Sequence, residues 1–180
     1  MKLMFASDIH GSKAFCEKLL VRYMDESPEK LILLGDLLYH GPRNDLPEEY
    51  DPKRVVTLLN LVKDHVLCIK GNCDCDVDQM VLKFPILSQY GCVCVDGITM
   101  YLTHGDVYNM ENPLPMCEHD ILIYGHTHVP TAEENENGFF LNPGSVSIPK
   151  EGSENSYMIY EDGIFTWKNL DGKEFLKFEI

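Results

Sequence analysis

Short apolar runs, each ended by a glycine or a polar residue, recur along the first half of the chain. Residues 3–6, 31–34 and 66–69 are such runs, and each predicts a buried strand. Helical spacing of apolar positions predicts a helix after Ser12 as N-cap and a second helix that opens at Asp51-Pro52. The first half therefore alternates strands with helices. A shorter helix is expected over about residues 77–83.

The second half consists mainly of strands joined by tight turns. Strands are predicted at residues 92–95, 98–103, 121–124, 139–142, 157–160, 164–167 and 175–178. Asp-Gly or Asn-Gly pairs such as Asp96-Gly97 separate several of them and favour hairpins. Pro130 is expected to end regular structure there. Early helices and late hairpins together predict an α/β layered sandwich of two packed sheets covered by helices.

Length and composition favour one domain. The chain has 180 residues and is 44% hydrophobic, which predicts a single domain over residues 1–180. No apolar run is long enough to cross a bilayer, and Met1-Lys2-Leu3 leads directly into a strand instead of a secretory signal. We therefore expect a cytoplasmic protein without a membrane partner.

The net charge indicates which molecules this protein can bind, and the cysteine content indicates the state of its thiols. A formal net charge of −14 disfavours long nucleic acids, because binding many phosphates needs clustered lysines and arginines. A small phosphate ester is still compatible, since metal ions can supply local positive charge. The seven cysteines are scattered and odd in number, which predicts reduced thiols without a disulfide framework. Cys92 and Cys94 share one strand face and are expected to be small core residues.

Side chains that can bind metals follow five of the apolar runs. They are Asp8, His10, Asp36, Asn72, His104, His126 and His128. Carboxylate, imidazole and amide ligands suit Mn²⁺, Zn²⁺, Fe or Mg²⁺, whereas a structural zinc site of the usual kind would be rich in cysteine. Cys73 and Cys75 have no second cysteine pair at a finger-like spacing. The set predicts a site for two divalent ions, with Asp36 as the carboxylate shared by both.

Two adjacent ions explain this mixture of ligands. Ions about 3.5–4 Å apart need a bridging anion and can make water acidic enough to supply hydroxide at neutral pH. They also neutralise charge on the oxygens bound to phosphorus during in-line displacement. The two ions would thus supply both the nucleophile and the electrostatic stabilisation of such a displacement.

The order of these motifs carries a family resemblance. The motifs are Asp8-Ile9-His10, Gly35-Asp36, Gly71-Asn72-Cys73-Asp74, His104-Gly105 and Gly125-His126-Thr127-His128. The chain resembles the calcineurin-like metallophosphoesterases, and within them the YfcE-type bacterial phosphodiesterases through residues 3–12, 40–44, 77–80 and 142–150. The resemblance implies a four-layer α-β-β-α sandwich of two mixed sheets flanked by helices, acting on small phosphate diesters. It also implies two Mn²⁺ ions, with Zn²⁺, Fe or Ni²⁺ as alternatives, and a homo-oligomer, either a dimer or a tetramer.

The resemblance also assigns roles. It places Asp8, His10, Asp36 and His128 on one ion, and Asp36, Asn72, His104 and His126 on the other. The family usually has a histidine where this chain has Cys73, and a thiol is a poorer proton donor to an alkoxide than a histidinium. Cys73 and Asp74 are the candidate catalytic residues, Asp74 as a group that orients a neighbour.

The long loop over residues 40–52 supplies candidate substrate contacts. Arg43 is either a phosphate clamp or a solvated arginine, and His40 is either a substrate contact or an ordinary loop histidine. Two other functions stay open at this point. The same metal site could serve a phosphomonoesterase, and a subunit of the retromer coat resembles this family in fold while acting as a non-catalytic scaffold.

Overall fold

The fold has two β-sheets and three α-helices. A computed structural model describes residues 1–180 throughout. The helices are α1 (Lys13–Glu26), α2 (Pro52–Leu61) and α3 (Asp76–Gln79). The strands are β1 (Lys2–Ala6), β2 (Lys30–Leu33), β3 (Val66–Cys68), β4 (Tyr90–Val95), β5 (Ile98–Thr103), β6 (Ile121–Ile123), β7 (Thr131–Asn135), β8 (Gly138–Asn142), β9 (Ser156–Glu161), β10 (Ile164–Asn169) and β11 (Glu174–Glu179). None of the helices has both the length and the apolar character needed to span a membrane.

Both sheets are mixed. The first has the order β11-β10-β9-β1-β2-β3, in which β1, β2 and β3 are parallel and β9 runs antiparallel to β1. The second has the order β4-β5-β6-β8-β7, with β5, β6 and β8 parallel and the other pairs antiparallel. The carboxyl ends of β1, β2 and β3 therefore meet at one edge of the first sheet, and those of β5 and β6 meet at one edge of the second.

Alternate residues of the central strand face two different cores. Met4 and Ala6 of β1 pack toward α1 and α2, whereas Leu3 and Phe5 pack against the second sheet. A strand buried on both faces needs apolar residues at every position, which explains its continuous apolar run. The two sheets thus pack face to face, with the helices outside the first.

The helical caps follow the sequence. The backbone N–H of Phe15 donates to Ser12 Oγ at 3.4 Å, and Asp51 caps α2, which has Pro52 at its first turn. The predicted hairpin at Asp96-Gly97 joins β4 to β5 with φ angles of 55° and 85°. The α/β sandwich is confirmed.

The outermost layer differs from the expectation. Leu122, Tyr124 and Phe140 on the outer face of the second sheet are covered by residues 105–120, which form turns and bends instead of a helix. Asn109 Oδ1 accepts hydrogen bonds from the backbone N–H groups two and three residues later, at 2.9 and 3.1 Å. Such a local bond competes with helix formation. Helices therefore cover the outer face of the first sheet, whereas turns and bends cover the outer face of the second.

Three local expectations were wrong. β7 begins at Thr131, directly after Pro130, because β7 is an edge strand where a preceding proline interrupts no central ladder. The helix expected over residues 77–83 ends at Gln79. Cys92 and Cys94 do share a face, but both are exposed, because that face of β4 points away from the second sheet's core.

Candidate metal centre

All seven predicted ligands gather where strand ends meet. They lie in the loops after five strands: Asp8 and His10 after β1, Asp36 after β2, Asn72 after β3, His104 after β5, and His126 and His128 after β6. Carboxyl ends of parallel strands are a general place for binding sites in α/β proteins. The packing of the two sheets brings both edges to one position.

One group of ligand atoms surrounds Asp8. Asp8 Oδ1 lies 3.2 Å from His128 Nε2 and 3.5 Å from His10 Nε2. The two imidazole Nε2 atoms are 3.4 Å apart. Asp36 Oδ2 lies 3.6 Å from His10 Nε2. Four side chains from three strand ends therefore point at one small volume.

A second group meets on the other side of Asp36. The same Asp36 Oδ2 lies 3.5 Å from His104 Nε2. His104 Nε2 is also 3.0 Å from Asn72 Oδ1 and 3.3 Å from His126 Nδ1. One carboxylate oxygen is thus common to both groups of ligand atoms.

Backbone carbonyls orient three of the imidazole rings. Nδ1–H of His10 donates to Tyr39 O at 2.8 Å, and Nδ1–H of His128 donates to Ile148 O at 2.6 Å. Nδ1–H of His104 donates to Leu34 O at 2.6 Å. A carbonyl can only accept, so each Nδ1 carries hydrogen, and each ring in its neutral form turns an Nε2 lone pair toward the site.

The donor set fits a divalent cation. Asp8 Oδ1 is fully buried and has no hydrogen-bond donor, although buried carboxylate oxygens normally have one. Burial by itself would raise the pKa of Asp8, but the facing His10 and His128 hold that pKa well below its usual value. An ionised, buried oxygen without a donor is the arrangement that a bound cation completes.

The electrostatics around His104 point the same way. Burial by itself would lower the pKa of His104, but the facing Asp36 and Asp8 carboxylates raise it to about 9. Both ring nitrogens of His104 face acceptor oxygens, Leu34 O and Asn72 Oδ1. The two carboxylates therefore stabilise positive charge at this position, whether it is a proton on His104 or a cation.

Five of the candidate ligands have left-handed backbone conformations. Their φ angles are 60° at Asp8, 47° at His10, 55° at Asp36, 65° at His126 and 63° at His128. Such conformations cost on the order of 1–3 kcal/mol each outside glycine and persist only where surrounding contacts impose them. Here those contacts include His10 N–H to Asp36 O at 2.9 Å and His126 N–H to Asp8 Oδ2 at 3.1 Å.

Two glycines allow the loops to approach each other. A Cβ at Gly71 would overlap Asp36 Oδ1, and a Cβ at Gly125 would overlap Ser7 Oγ. The glycines in the Gly-Asn and Gly-His motifs are thus required by close contact between loops.

Asp74 supports the site from behind. Its carboxylate accepts hydrogen bonds from the backbone N–H groups of Asp36, Leu37 and Gly71 at 2.8, 2.9 and 2.8 Å. Burial raises the pKa of Asp74, and these three donors oppose the rise. The side chain does not line the cavity, and its contact with Asp36 is to the backbone N–H of that residue.

Cys73 lies at the edge of the metal centre. Its backbone N–H donates to Asp36 Oδ1 at 2.8 Å, which leaves Asp36 Oδ2 free for the ligand groups. Its thiol lines the cavity, and burial together with Asp36 raises the pKa of Cys73 to about 12.

An open cavity of about 490 Å³ lies above the ligands. Arg43 lines it, as one reading of the sequence predicted. His40 does not, because its ring packs against Tyr39 and Tyr50 with centroids 4.8 and 5.2 Å away. A direct substrate contact by His40 therefore has no support in the structure.

Several contributing residues received no role from the sequence. Asn44, Thr127 and Lys150 line the cavity. Behind it, Ser145 Oγ and Ser147 Oγ donate to Asp8 O at 2.9 and 3.0 Å. The signal that could have found the two serines is the one that found the ligands, a polar segment directly after an apolar strand.

Asn142, at the end of β8, also supports the site. Its Nδ2 donates to Gly125 O at 2.7 Å and to Thr127 Oγ1 at 3.0 Å. These bonds fix the turn that carries the two histidines after β6.

Fold and site together define the class. A two-sheet α/β sandwich with Asp, His and Asn ligands at its strand ends is the architecture of the metallophosphoesterases, and the family model described as the calcineurin-like phosphoesterase superfamily domain matches residues 1–162. The chain belongs to the calcineurin-like phosphoesterase superfamily.

Individual members of the superfamily are similar to this chain to different degrees. Phosphodiesterase YfcE of Escherichia coli K12 is 46% identical over 166 residues, which cover 92% of this chain and 90% of that protein. The solved structure of the same E. coli phosphoesterase has a TM-score of 0.97 at 44% identity, with 100% of both chains covered. Vps29 of Entamoeba histolytica, solved in complex with zinc, has a TM-score of 0.59 at 18% identity, with 99% of both chains covered, which is a likeness of fold alone.

Proposed function

We propose that this protein is a cytoplasmic phosphodiesterase that uses two divalent metal ions to hydrolyse small phosphate diesters. The observation that carries the proposal is the shared oxygen of Asp36. Asp36 Oδ2 lies 3.6 Å from His10 Nε2 in one ligand group and 3.5 Å from His104 Nε2 in the other. A carboxylate oxygen between two sets of ligands is what a two-ion centre requires.

The ligands divide into two sets. Asp8, His10, Asp36 and His128 would hold one ion. Asp36, Asn72, His104 and His126 would hold the other. Each set combines imidazole with oxygen ligands, which supports Mn²⁺ and is also compatible with Zn²⁺, Fe or Ni²⁺.

The protein's own groups orient the histidine ligands and bind the phosphate oxygens. When bound, the ions supply a nucleophile from water at neutral pH and positive charge for the phosphate oxygens. Carbonyl-anchored Nδ1–H groups keep the rings of His10, His104 and His128 oriented. Arg43 lines the cavity and can bind phosphate oxygens through its guanidinium.

Cys73 bears on the choice of leaving group. A thiol is a poorer proton donor to a departing alkoxide than a histidinium, so we expect a preference for esters with good leaving groups. Comparing Cys73→His with the parent enzyme on esters of graded leaving-group pKa tests this expectation. An unchanged dependence on leaving-group pKa would contradict it.

The net charge and the free cysteines bear on the size of the substrate and on the cellular compartment. The formal net charge of −14 supports a small substrate over a long nucleic acid. All seven cysteines are free thiols, which supports a reducing compartment such as the cytoplasm. A dimer or tetramer stays a prediction.

The central experiment is metal reconstitution. Protein stripped with a chelator is reloaded with Mn²⁺, Zn²⁺, Fe²⁺, Ni²⁺ or Mg²⁺, and both bound metal and hydrolysis of bis(4-nitrophenyl) phosphate are measured. We expect two ions per chain and the highest rate with Mn²⁺. Protein that binds no metal and cleaves no diester would favour the non-catalytic scaffold, and faster cleavage of 4-nitrophenyl phosphate would favour a phosphomonoesterase.

A further inference from the structure

The walls of the cavity are almost entirely polar. Of the 12 residues that line it, Pro42 and Cys73 are the apolar ones, and none is Phe, Tyr or Trp. Binding sites for nucleobases usually offer an aromatic face, and sites for lipid chains offer apolar walls. The cavity therefore suits an ester whose organic groups are small and hydrophilic.

Two cationic side chains line the same cavity. They are Arg43 and Lys150, and neither has a carboxylate partner within 4.0 Å. The chain as a whole has 29 acidic and 15 basic residues, so positive side chains are scarce on its surface. Asp36 is the one carboxylate that lines the cavity, and the proposed ions would neutralise it.

The two cations come from separate rims. Arg43 lies in the turn over residues 41–44, which the N–H of Asn44 closes by donating to Gly41 O at 3.3 Å. A Cβ at Gly41 would lie 3.2 Å from Cys73 Sγ, so this turn packs on the loop after β3. Arg43 thus belongs to the rim formed by the loops after β2 and β3.

Lys150 belongs to the other rim, formed by the loops after β6 and β8. Its backbone N–H donates to His128 O at 3.3 Å, and its carbonyl accepts from Ser153 N–H at 3.0 Å and Ser153 Oγ at 2.6 Å. The backbone of Lys150 is therefore tied directly to a metal-ligand residue. Its side chain is exposed and free to reach into the cavity.

The charges decide what such a cavity accepts. Under the proposed function, two divalent ions, the carboxylates of Asp8 and Asp36 and the hydroxide nucleophile would leave one net positive charge, which the single negative charge of a phosphate diester balances. Arg43 and Lys150 add two further positive charges that one diester phosphate does not need. A second anionic group on the substrate would use this surplus.

We infer that the substrate is a small, hydrophilic phosphodiester with a second anionic group on the ester arm that stays on phosphorus, and that Lys150 recognises this group. The inference rests on the proposed function. Lys150 acts here as a specificity-determining residue, while Arg43 binds the phosphate itself.

A matched series of substrates tests the inference. The 4-nitrophenyl esters of 2-carboxyethyl, propyl and 2-aminoethyl phosphate share one leaving group and differ only in the charge of the other arm. We expect kcat/KM to fall in that order by about 10-fold per step, the size of a partly screened charge contact. Equal kcat/KM for the three esters would overturn the inference.

Variants assign the preference to Lys150. In Lys150→Met we expect the three values of kcat/KM to converge to within about 2-fold, whereas Lys150→Arg retains the order. The control is Lys173→Met, an exposed lysine in the turn between β10 and β11, which should keep the parent's preference. A Lys150→Met enzyme that still prefers the carboxylate would overturn the assignment.

A binding measurement separates this inference from the proposed function. Calorimetry compares ethyl(2-carboxyethyl)phosphinate with ethyl(propyl)phosphinate, two analogues without a P–O–C ester bond that differ by a carboxylate in place of a methyl group. We expect about 10-fold tighter binding of the carboxylate by the parent protein and no preference in Lys150→Met. Failure to hydrolyse any ester would sink the proposed function alone, whereas equal binding of both analogues would sink the inference.

Discussion

The same unusual backbone conformation occurs in two very different parts of the molecule. Ten residues other than glycine have positive φ angles. Five are metal-centre residues, Asp8, His10, Asp36, His126 and His128, and five lie in surface turns, Ser27, Glu49, Asp96, Glu151 and Asp162. The surface residues are exposed, whereas four of the five at the metal centre are buried and His126 is half-buried.

The two groups differ in what holds the conformation. Asp96 and Asp162 each precede a glycine in a hairpin turn, where local geometry favours positive φ and aspartate tolerates it. At the metal centre the conformation comes from contacts between distant strand ends, such as Asp8 N–H to Gly35 O at 3.1 Å. The conformations at the metal centre are thus imposed by contacts between several loops, whereas those at Asp96 and Asp162 are favoured by their own hairpin turns.

The largest effect is expected from the shared carboxylate. Asp36→Asn removes the negative charge common to both ligand groups and should lower kcat/KM on bis(4-nitrophenyl) phosphate by roughly 10³-fold. Asp96→Asn, at a hairpin turn with positive φ far from the metal centre, is the matched control and should keep the parent's activity. Comparable losses in the two variants would contradict the distinction between the two groups.

Metal binding should offset the strain at the centre. At a free Mn²⁺ concentration 100 times Kd, binding adds about 2.7 kcal/mol to the free energy of unfolding. For a domain of this size, that corresponds to a Tm increase of about 5–10 °C. Differential scanning calorimetry of stripped and reloaded protein measures the shift. The increase should be much smaller in Asp36→Asn, and an equal increase there would argue against Asp36 as the shared ligand.

A substitution at Asp74 tests whether its three hydrogen bonds hold the loops of the metal centre in place. Asp74→Asn places an amide against three backbone N–H donors, so we expect a loss of about 1–3 kcal/mol in the free energy of unfolding. Misplacement of Asp36 should lower kcat by about 10- to 100-fold, as for other groups that orient metal ligands. Urea denaturation and steady-state kinetics measure both quantities. A variant with lower stability and unchanged kcat would show that the loop does not depend on this carboxylate for its function.

The smallest effect is expected away from the metal centre, at Glu26 in the last turn of α1. Burial by itself would raise the pKa of Glu26, but contacts with Lys168 at 2.8 Å and Lys2 at 3.1 Å hold it below its usual value. A carboxylate with a lowered folded-state pKa stabilises the fold above its unfolded pKa of about 4.3, and this contribution is lost as pH falls through the lower folded value.

Glu26→Gln measures that contribution. The variant should be less stable than the parent by about 1 kcal/mol at pH 7, and the difference in Tm should shrink between pH 5 and the acid end of the titration, as expected of a carboxylate in two partly exposed ion pairs. Metal-dependent activity at pH 7 should match the parent. A difference in Tm that is constant over the whole pH range would rule out the charge of Glu26 as its cause.

Much of the candidate site could be predicted because its signals are local. An apolar run followed at once by glycine and a polar residue indicates a strand end with a turn, and the identity of Asp36 or His126 follows directly from the chain. Cap residues such as Ser12 and hairpin turns such as Asp96-Gly97 act within a few residues, and the structure has them as expected.

Other features depended on packing between distant segments. Strand alternation shows that Cys92 and Cys94 share a face, but which face is covered depends on where the second sheet's core lies. His40 turns toward Tyr50 within its own loop, and the backbone of Lys150 is tied to His128 in the loop after β6; neither contact follows from the residue types alone.

The sequence by itself therefore determined the chemical types of the candidate ligands and the strand ends that carry them. Only the tertiary structure decided that one oxygen of Asp36 faces both groups of candidate ligands, that five of these residues adopt strained backbone conformations, and that Lys150 lines the cavity. The physical reason is that residue type and local turn geometry are properties of a short segment, whereas shared distances and imposed strain arise only when separate segments pack together.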